Sequence, residues 1–513
     1  MISKIKSIGL TGLSGFDVTV ETDITNEDRI IFDIIGLPDN AVKEAKNRVI
    51  SAIQNSGFKM KTVKIVVNLA PADIKKEGSA YDLAIVLCVL CATAQLLPLS
   101  EKAAFLGEIS LSGQIRPVKG ILASVIEAKK LGYRQIYVPA ENVVEGSVID
   151  GIDVFGIENL RELCDHLTGK EPLTPLKTDL HDYIIHKKSI TSDFSEIIGQ
   201  QSAKRACEIA AAGGHNLLMI GPPGTGKSML AKCMPSILPD MSFDEIIESS
   251  EIYSIAGKLS QEEPLILSRP FVKTTQSLSV AAMTGGGTIP APGMISLAHN
   301  GVLFLDETPQ FSPTVLNSLR QPLEDNTVTV SRVKQTLTYP SSFILICAMN
   351  PCPCGKFGHP TLKCTCTPSQ IAKYVNRLSG PLLDRLDLQV ELPPIPLNDI
   401  KNAVVPESSA EIKKRVDAAR AIQHNRYKKS GVTCNAKMNA KQVRYIAKKR
   451  MTESACAMLE NIFTKLSLSM RAYDKIIKIS QTIADLDGKE TIESAYISEA
   501  VFFRSLDKKY WNV

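Results

Sequence analysis

The sequence predicts an α/β protein with a mixed α+β N-terminal region, a phosphate-binding core on a parallel sheet, and a helical C-terminal region. Three observations predict it. The octet Gly221-Pro222-Pro223-Gly224-Thr225-Gly226-Lys227-Ser228 follows the apolar run Leu217–Ile220 and precedes the helix-like Met229–Lys232. Two further apolar runs, Gly301–Leu305 and Phe343–Met349, end in Asp306-Glu307 and in Asn350. Beyond Ile395 strand patterns fade and helical ones dominate.

The chain has 513 residues, enough for about two to four domains. Residues 1–168 form the first. Within them Thr62–Asn68 and Ile136–Pro139 read as strands, and Ile121–Leu131 has helical apolar spacing. Leu83–Leu97 contains Thr93 and Gln95, is short for a membrane span and stops at Pro98, so a core helix is expected. Residues 169–192 carry Pro172 and Pro175 without a strong period and read as a linker. The core spans 193–395 and closes at Pro393-Pro394-Ile395-Pro396; the helical domain fills 396–513.

Hydrophobic residues at 44% and charged residues at 22% suit a globular protein rather than a disordered one. Basic residues number 59 and acidic residues 54, so the net charge is +5 and any basic surface must be local. The start, Met1-Ile2-Ser3-Lys4-Ile5-Lys6, lacks the apolar stretch of a signal peptide. Twelve cysteines without such a signal point to a reducing cytoplasm, and no membrane partner is expected.

A buried strand, a glycine loop and a helix start are what a phosphate-binding loop requires. The glycines let backbone N–H groups turn inward around a phosphate, and the helix start adds partial positive charge. Lys227 can reach the terminal phosphates and Ser228 can ligate Mg²⁺, so ATP and Mg²⁺ are the expected cofactors. Asp306 is placed to hold the metal through water, and Glu307 to orient and polarise the attacking water. Asn350 either positions that water and senses the terminal phosphate or closes a strand-end turn. Arg385 reads as an arginine finger acting across a subunit boundary, or as half of a local ion pair with Asp384 or Asp387. Arg471 reads as a residue that closes over the nucleotide, or as a surface arginine.

Cys352, Cys354, Cys364 and Cys366 are spaced C-x-C, nine residues, C-x-C. Four thiolates so close can surround structural Zn²⁺, with His359 able to replace one sulfur; free thiols are the alternative. Most other cysteines, such as Cys88 and Cys91, read as packing residues. Met283–Pro290 holds three consecutive glycines and reads as a mobile loop. Thr327–Val330 and Gln335–Thr338 read as a hairpin with Arg332 or Lys334 near its tip, either tracking phosphates or lying on an ordinary surface. The clusters Lys413-Lys414-Arg415, Arg426-Tyr427-Lys428-Lys429 and Lys448-Lys449-Arg450, with Tyr427 and Tyr445 for base stacking, read equally as solvated helix faces.

The order of these motifs resembles the magnesium-chelatase-like AAA+ ATPases of the bacterial ComM/YifB type. The residues that carry it are the phosphate loop, the strand ending in Asp306-Glu307, Ala348-Met349-Asn350-Pro351-Cys352-Pro353-Cys354-Gly355, Gly380-Pro381-Leu382-Leu383-Asp384-Arg385 and Ser469-Met470-Arg471-Ala472-Tyr473. The resemblance covers nearly the whole chain. It implies an AAA+ core with a helical lid, Asn350 as first sensor, Arg385 as finger and Arg471 as second sensor. It implies a homo-oligomeric ring, a hexamer, because the finger's target sits on a neighbour. It implies an insert near Met283–Pro290 that projects toward the ring pore. The implied activity is a helicase or branch-migration translocase on single-stranded or branched DNA, in recombination of incoming DNA. A protein-remodelling or chelatase-type motor with a partner subunit is the rival reading, and an ATP-dependent peptidase the third. The family's Arg-Pro-Phe-Arg followed by Pro-His-His is incomplete here, where Arg269–Gln276 lacks the second arginine and both histidines.

The segment Ala72–Asp82 resembles the active-site region of Lon-type peptidases, and Gly107–Ser110 with Gly120–Leu122 supports the same ribosomal-protein-S5-like fold. Those peptidases use a Ser–Lys dyad. Ala80 and Leu122 stand at the two catalytic positions. A one-residue shift offers Ser79 without a lysine partner, leaving Lys119 and Lys129 nearby in sequence. A noncatalytic Lon-like domain is the expectation.

Overall fold

The computed structural model describes residues 2–179, 192–287, 291–332, 335–395, 406–428, 430–466 and 468–511, with Arg332, Gln335, Asp507 and Lys508 described by backbone alone. Linker residues 180–191, the loop residues Thr288, Ile289 and Pro290, and the basic residues Lys334 and Lys429 lie outside the described residues. Contacts divide the chain into two compact units, Met1–Lys187 with Ile246–Leu267, and Lys188–Glu245 with Ser268–Val513.

The first unit is built on a seven-stranded sheet. Its strands are β1 (Ser3–Thr11), β2 (Ser14–Asn26), β3 (Ile31–Ile35), β4 (Val63–Ala70) and β5 (Ala103–Phe105), and then, after the short ladder of β6 (Glu108–Ile109) and β7 (Ile115–Arg116), β8 (Gln135–Pro139) and β9 (Asp153–Ile157). The order is β3-β4-β2-β1-β5-β8-β9, antiparallel at β1·β2 and β2·β4 and parallel elsewhere. In β4 the buried residues Val63, Ile65, Val67 and Leu69 alternate with half-buried ones, the period of a strand with one face in a core. The helix Asp82–Ala92 is buried along its whole length, which explains a run with no polar face. Residues 246–267, read from the sequence as part of the core, cluster with this unit. Gly120 N donates to Ser254 O at 3.1 Å, and Gly257 packs on the Lys119 side chain.

The second unit carries a five-stranded sheet, every neighbouring pair parallel. Its strands are β10 (Leu217–Ile220), β11 (Phe271–Thr274), β14 (Val302–Leu305), β17 (Ile344–Met349) and β18 (Leu388–Glu391), in the order β11-β14-β17-β10-β18. β10, β14 and β17 are buried throughout, as continuous apolar runs in a covered parallel sheet should be. The register aligns Ile220 with Met349 and Leu305 with Cys347, so Gly221, Asp306 and Asn350 leave neighbouring strands at one edge. Ligands bind at that carboxyl edge of such sheets.

Two small ladders accompany this sheet. The glycine-rich segment begins as a turn of helix, Val280–Thr284, and its described residues continue as β12 (Gly285–Gly286) paired with β13 (Ala291–Pro292), a two-residue ladder at the base of the expected loop. A Cβ on Gly285, at φ 105°, would lie 2.6 Å from Ala291 O, so the pairing itself requires glycine. The expected hairpin is β15 (Thr327–Arg332) against β16 (Gln335–Pro340), two residues longer on each strand than its alternation suggests.

The C-terminal helices include Ser409–Tyr427, Ala440–Lys449, Met470–Leu486 and Ser494–Phe502. Ser408 and Asn439 start two of them with reciprocal capping boxes. Their buried residues, among them Val416, Ile446, Ile477 and Ile497, join the core formed by Leu217, Phe304 and Leu388. Among the described residues no helix is long and apolar enough to cross a membrane.

Candidate active site

The phosphate loop runs between β10 and the helix Lys227–Ile237. Gly224 and Gly226 adopt φ of 80° and 91°, the left-handed turns that bring the loop back over the helix start. Lys227 folds onto its own loop. Its Nζ donates to Gly221 O at 2.6 Å, Pro222 O at 2.8 Å and Asn350 Oδ1 at 3.3 Å. Burial lowers the Lys227 pKa to about 8, against the pull of Asp306 and Glu307. Ser228 Oγ donates to Asp306 Oδ2 at 2.9 Å.

A hydroxyl and a carboxylate in contact beside a lysine match the oxygen donors that Mg²⁺ takes and the cation that a phosphate takes. The residues therefore fit Mg²⁺ and a nucleotide. Glu307 sits in the left-handed region, φ 49° and ψ 48°, which few non-glycine residues occupy. Thr308 stabilises that turn, donating in the interior to both Leu305 O and Ala348 O at 3.1 Å.

Two residues at this edge escaped the sequence reading. Lys273 Nζ lies 3.3 Å from Asp306 Oδ2, and Gln276 Nε2 donates to Glu307 Oε2 at 2.5 Å. Both follow from β11 pairing with β14, a neighbour relation that no local pattern signals.

Arg385 is ion-paired with Glu324 rather than with Asp384 or Asp387. Asp387 is already committed. It lies 2.8 Å from Lys475 Nζ and 3.6 Å from His215 Nδ1, and accepts from Asn216 N at 3.0 Å. Burial opposes its ionisation, but Lys475 and His215 outweigh burial and hold it below the usual carboxylate range. Arg471 Nη1 lies 3.7 Å from Asp384 Oδ2, so the structure brings Arg471 to the turn that carries Arg385. Among the described residues no hydrogen bond or ion pair joins Arg471 to the phosphate loop.

The four clustered cysteines converge. Cys352 Sγ is 3.4 Å from Cys354 Sγ and 3.7 Å from Cys364 Sγ, Cys354 and Cys364 are 3.6 Å apart, and all four sulfurs lie within 4.8 Å of one another. A tetrahedral zinc–thiolate centre has sulfur–sulfur edges of about 3.8 Å, so the group fits Zn²⁺. His359 stands outside it, with Nδ1 accepting from Leu362 N at 3.0 Å.

Comparison with known proteins places this arrangement. Subunit ChlI of Mg-chelatase matches residues 20–142, magnesium chelatase subunit ChlI matches 193–400, and the ChlI C-terminal region matches 406–504. The chain is 42% identical over 511 residues to the uncharacterized protein YifB of Escherichia coli, covering 99% of this chain and 98% of YifB. It is 40% identical over 494 residues to the competence protein ComM of Haemophilus influenzae, covering 95% of this chain and 94% of ComM. The chain belongs to the magnesium-chelatase-like AAA+ family of the ComM/YifB type. A shorter likeness, 26% over 133 residues, links it to Lon protease 2 of Bacillus subtilis, covering 25% of this chain and 23% of that protease.

In this ComM/YifB-type chain Ser79 donates to the Glu108 carboxylate, and no lysine joins that contact among the described residues. Lys119 packs on Gly257 and Lys129 on Gly151. Ala80 lies in the turn before the helix Asp82–Ala92, and Leu122 is buried. Three basic residues of the C-terminal clusters are held in ion pairs. Arg415 meets Glu208 and Glu407, Lys413 meets Asp417, and Arg426 meets Asp485. Tyr427, expected to stack on bases, is buried instead, its hydroxyl donating to Asn435 Oδ1 at 2.8 Å; Tyr445 is exposed.

Proposed function

We propose that this chain is a magnesium-dependent ATPase working as a homo-hexameric ring, and that the ring is a DNA helicase or branch-migration translocase in recombination of incoming DNA. The observation that supports it most is the convergence of Lys227, Ser228, Asp306, Glu307 and Asn350 at one edge of one parallel sheet. Mg²⁺, when bound, supplies charge neutralisation between the phosphates. Lys227 exchanges the Gly221 and Pro222 carbonyls for phosphate oxygens. Ser228 and Asp306 hold the metal, Glu307 orients and polarises the attacking water, and Asn350 senses the terminal phosphate. Arg385 leaves Glu324 to reach the nucleotide of a neighbouring protomer, with Arg471 beside it as second sensor.

Recombination of DNA as the setting is supported by the likeness to a competence protein. The same reading assigns residues 1–168 to a Lon-like, noncatalytic domain, 169–192 to a linker, 193–395 to the AAA+ core and 396–513 to the lid, in a cytoplasmic protein. The Ser79–Glu108 contact supports the loss of peptidase chemistry. Cys352, Cys354, Cys364 and Cys366 hold one structural Zn²⁺. The ChlI family models favour a second reading, a chelatase-type or protein-remodelling motor that needs a partner subunit.

Unwinding assays on forked and three-stranded DNA, with Glu307→Gln as control, test the proposal. ATP-dependent strand displacement lost in the control is expected. ATP hydrolysis indifferent to DNA, with no displacement, would reject the DNA motor.

A further inference from the structure

We propose that the metal in the four-cysteine centre controls nucleotide affinity, because the centre holds two walls of the phosphate site; this rests on the reading that the centre binds zinc. The first wall is Asn350. Its carboxamide accepts from Lys227 Nζ at 3.3 Å, and only Pro351 separates it from Cys352. Cys352 is fully buried, and its sulfur also accepts from Phe357 N at 3.3 Å. A ligand fixed at Cys352 therefore fixes the backbone that aims Asn350.

The second wall is Pro223 of the phosphate loop. Gly355, in the turn between the two cysteine pairs, lies against it. A Cβ on Gly355 would stand 2.6 Å from Pro223 Cδ, and φ is 75°. The turn around the sulfurs thus presses directly on the loop that must wrap a phosphate.

Little else orders this segment. From Lys356 to Cys366 no residue is fully buried, and Phe357 meets Tyr510 edge-on at 6.3 Å. The four sulfurs are free thiols spaced well beyond the S–S bond of about 2 Å. Weak sulfur–sulfur contacts of 3.6–3.7 Å join Cys364 to Cys352 and Cys354, and an ion among the four would replace them with metal–thiolate bonds. Remove it, and segments with so few buried contacts open first. The Asn350 and Pro223 walls then sample other positions. If the closed arrangement is populated only a tenth of the time, apparent affinity falls about tenfold.

The test uses the full chain, zinc or cobalt as the metal, and ADP with Mg²⁺ as the nucleotide, measured by calorimetry. Metal content and the thiolate-to-Co²⁺ absorption band report the centre itself. One zinc per chain is expected. Its removal by a zinc-selective chelator, or by Cys364→Ser with Cys366→Ser, weakens ADP binding about tenfold, and Zn²⁺ restores it in the chelated wild type. Gly355→Ala keeps all four sulfurs and should keep zinc, yet bind ADP several-fold more weakly. Zinc bound but ADP affinity unchanged on its removal, or unchanged in Gly355→Ala, overturns the control while leaving the metal in place. No zinc and no cobalt band overturns the metal reading and the control with it. Failure of wild-type, zinc-loaded protein to bind ADP at all would instead reject the ATPase reading.

Discussion

Asn216 holds the turn that carries Arg385, its side-chain amide donating to the Arg385 carbonyl at 2.9 Å. Its Oδ1 accepts from Leu345 N at 2.8 Å, and its backbone carbonyl accepts from Asp387 N at 2.9 Å and Leu388 N at 3.0 Å. Asn216 directly precedes β10, whose far end is the phosphate loop. One side chain thus ties the loop strand, the Asn350 strand and the Arg385 turn together. Asn216→Ala leaves two backbone groups without partners, at a cost of about 1–3 kcal/mol. The melting temperature should drop, and ATP turnover should fall further than ADP affinity does. Turnover equal to wild type would show that Asn216 does not position Arg385.

Glu307→Gln removes the carboxylate and keeps the shape of the side chain. The variant should bind ATP with near-normal affinity and hydrolyse it roughly 10²–10⁴-fold more slowly. Single-turnover hydrolysis beside equilibrium binding separates the two quantities. Wild-type turnover would remove Glu307 from the water-activating role.

Lys227 carries a third prediction. Its pKa is lowered to about 8 where it is buried on loop carbonyls, and phosphate oxygens would raise it again. Near pH 8.5 the free site is therefore largely deprotonated and the bound site protonated. ADP binding at that pH should take up a substantial fraction of one proton, read from calorimetry in buffers of different ionisation enthalpy. No uptake would contradict contact between Lys227 and the phosphates.

In the first unit burial pushes the carboxyls of Glu145 and Glu251 up to about 7, from 4.5 when unperturbed. A folded pKa above the unfolded one means that folding favours the protonated form. The contribution is fully present below about pH 4.5 and is lost as pH rises through 7, on the order of 3 kcal/mol for Glu145. Denaturation of Glu145→Gln should accordingly show a smaller loss of stability between pH 5 and pH 8 than wild type. Equal slopes would contradict the burial.

The parts of the site legible in the sequence share one cause. The phosphate loop, Asp306-Glu307 and Asn350 each end an apolar run, and those runs exist because β10, β14 and β17 are buried on both faces. Partners set by packing were not legible. Arg385 has acidic neighbours on each side in sequence, yet it pairs with Glu324, because Asp387 is taken by Lys475 and Asn216. Tyr427 sits among basic residues but is interior, since Asn435 satisfies its hydroxyl. Residues 246–267 follow the phosphate-loop helix in sequence and pack with the other unit, a choice of surface that local patterning does not encode. The hairpin runs longer than read because Tyr339 is buried beside Leu337, continuing the ladder past Thr338.

The central claim is that ATP is cleaved at a seam, with Lys227 from one protomer and Arg385 from the next. Mixing Lys227→Ala with Arg385→Ala tests it most directly. Each variant alone should be inactive, because every seam lacks one group. Randomly mixed rings should recover about a quarter of wild-type ATPase per seam, since one seam in four then joins an intact Lys227 to an intact Arg385. A mixture as inactive as its parts, or an Arg385→Ala protein that hydrolyses ATP at the wild-type rate, would contradict the account.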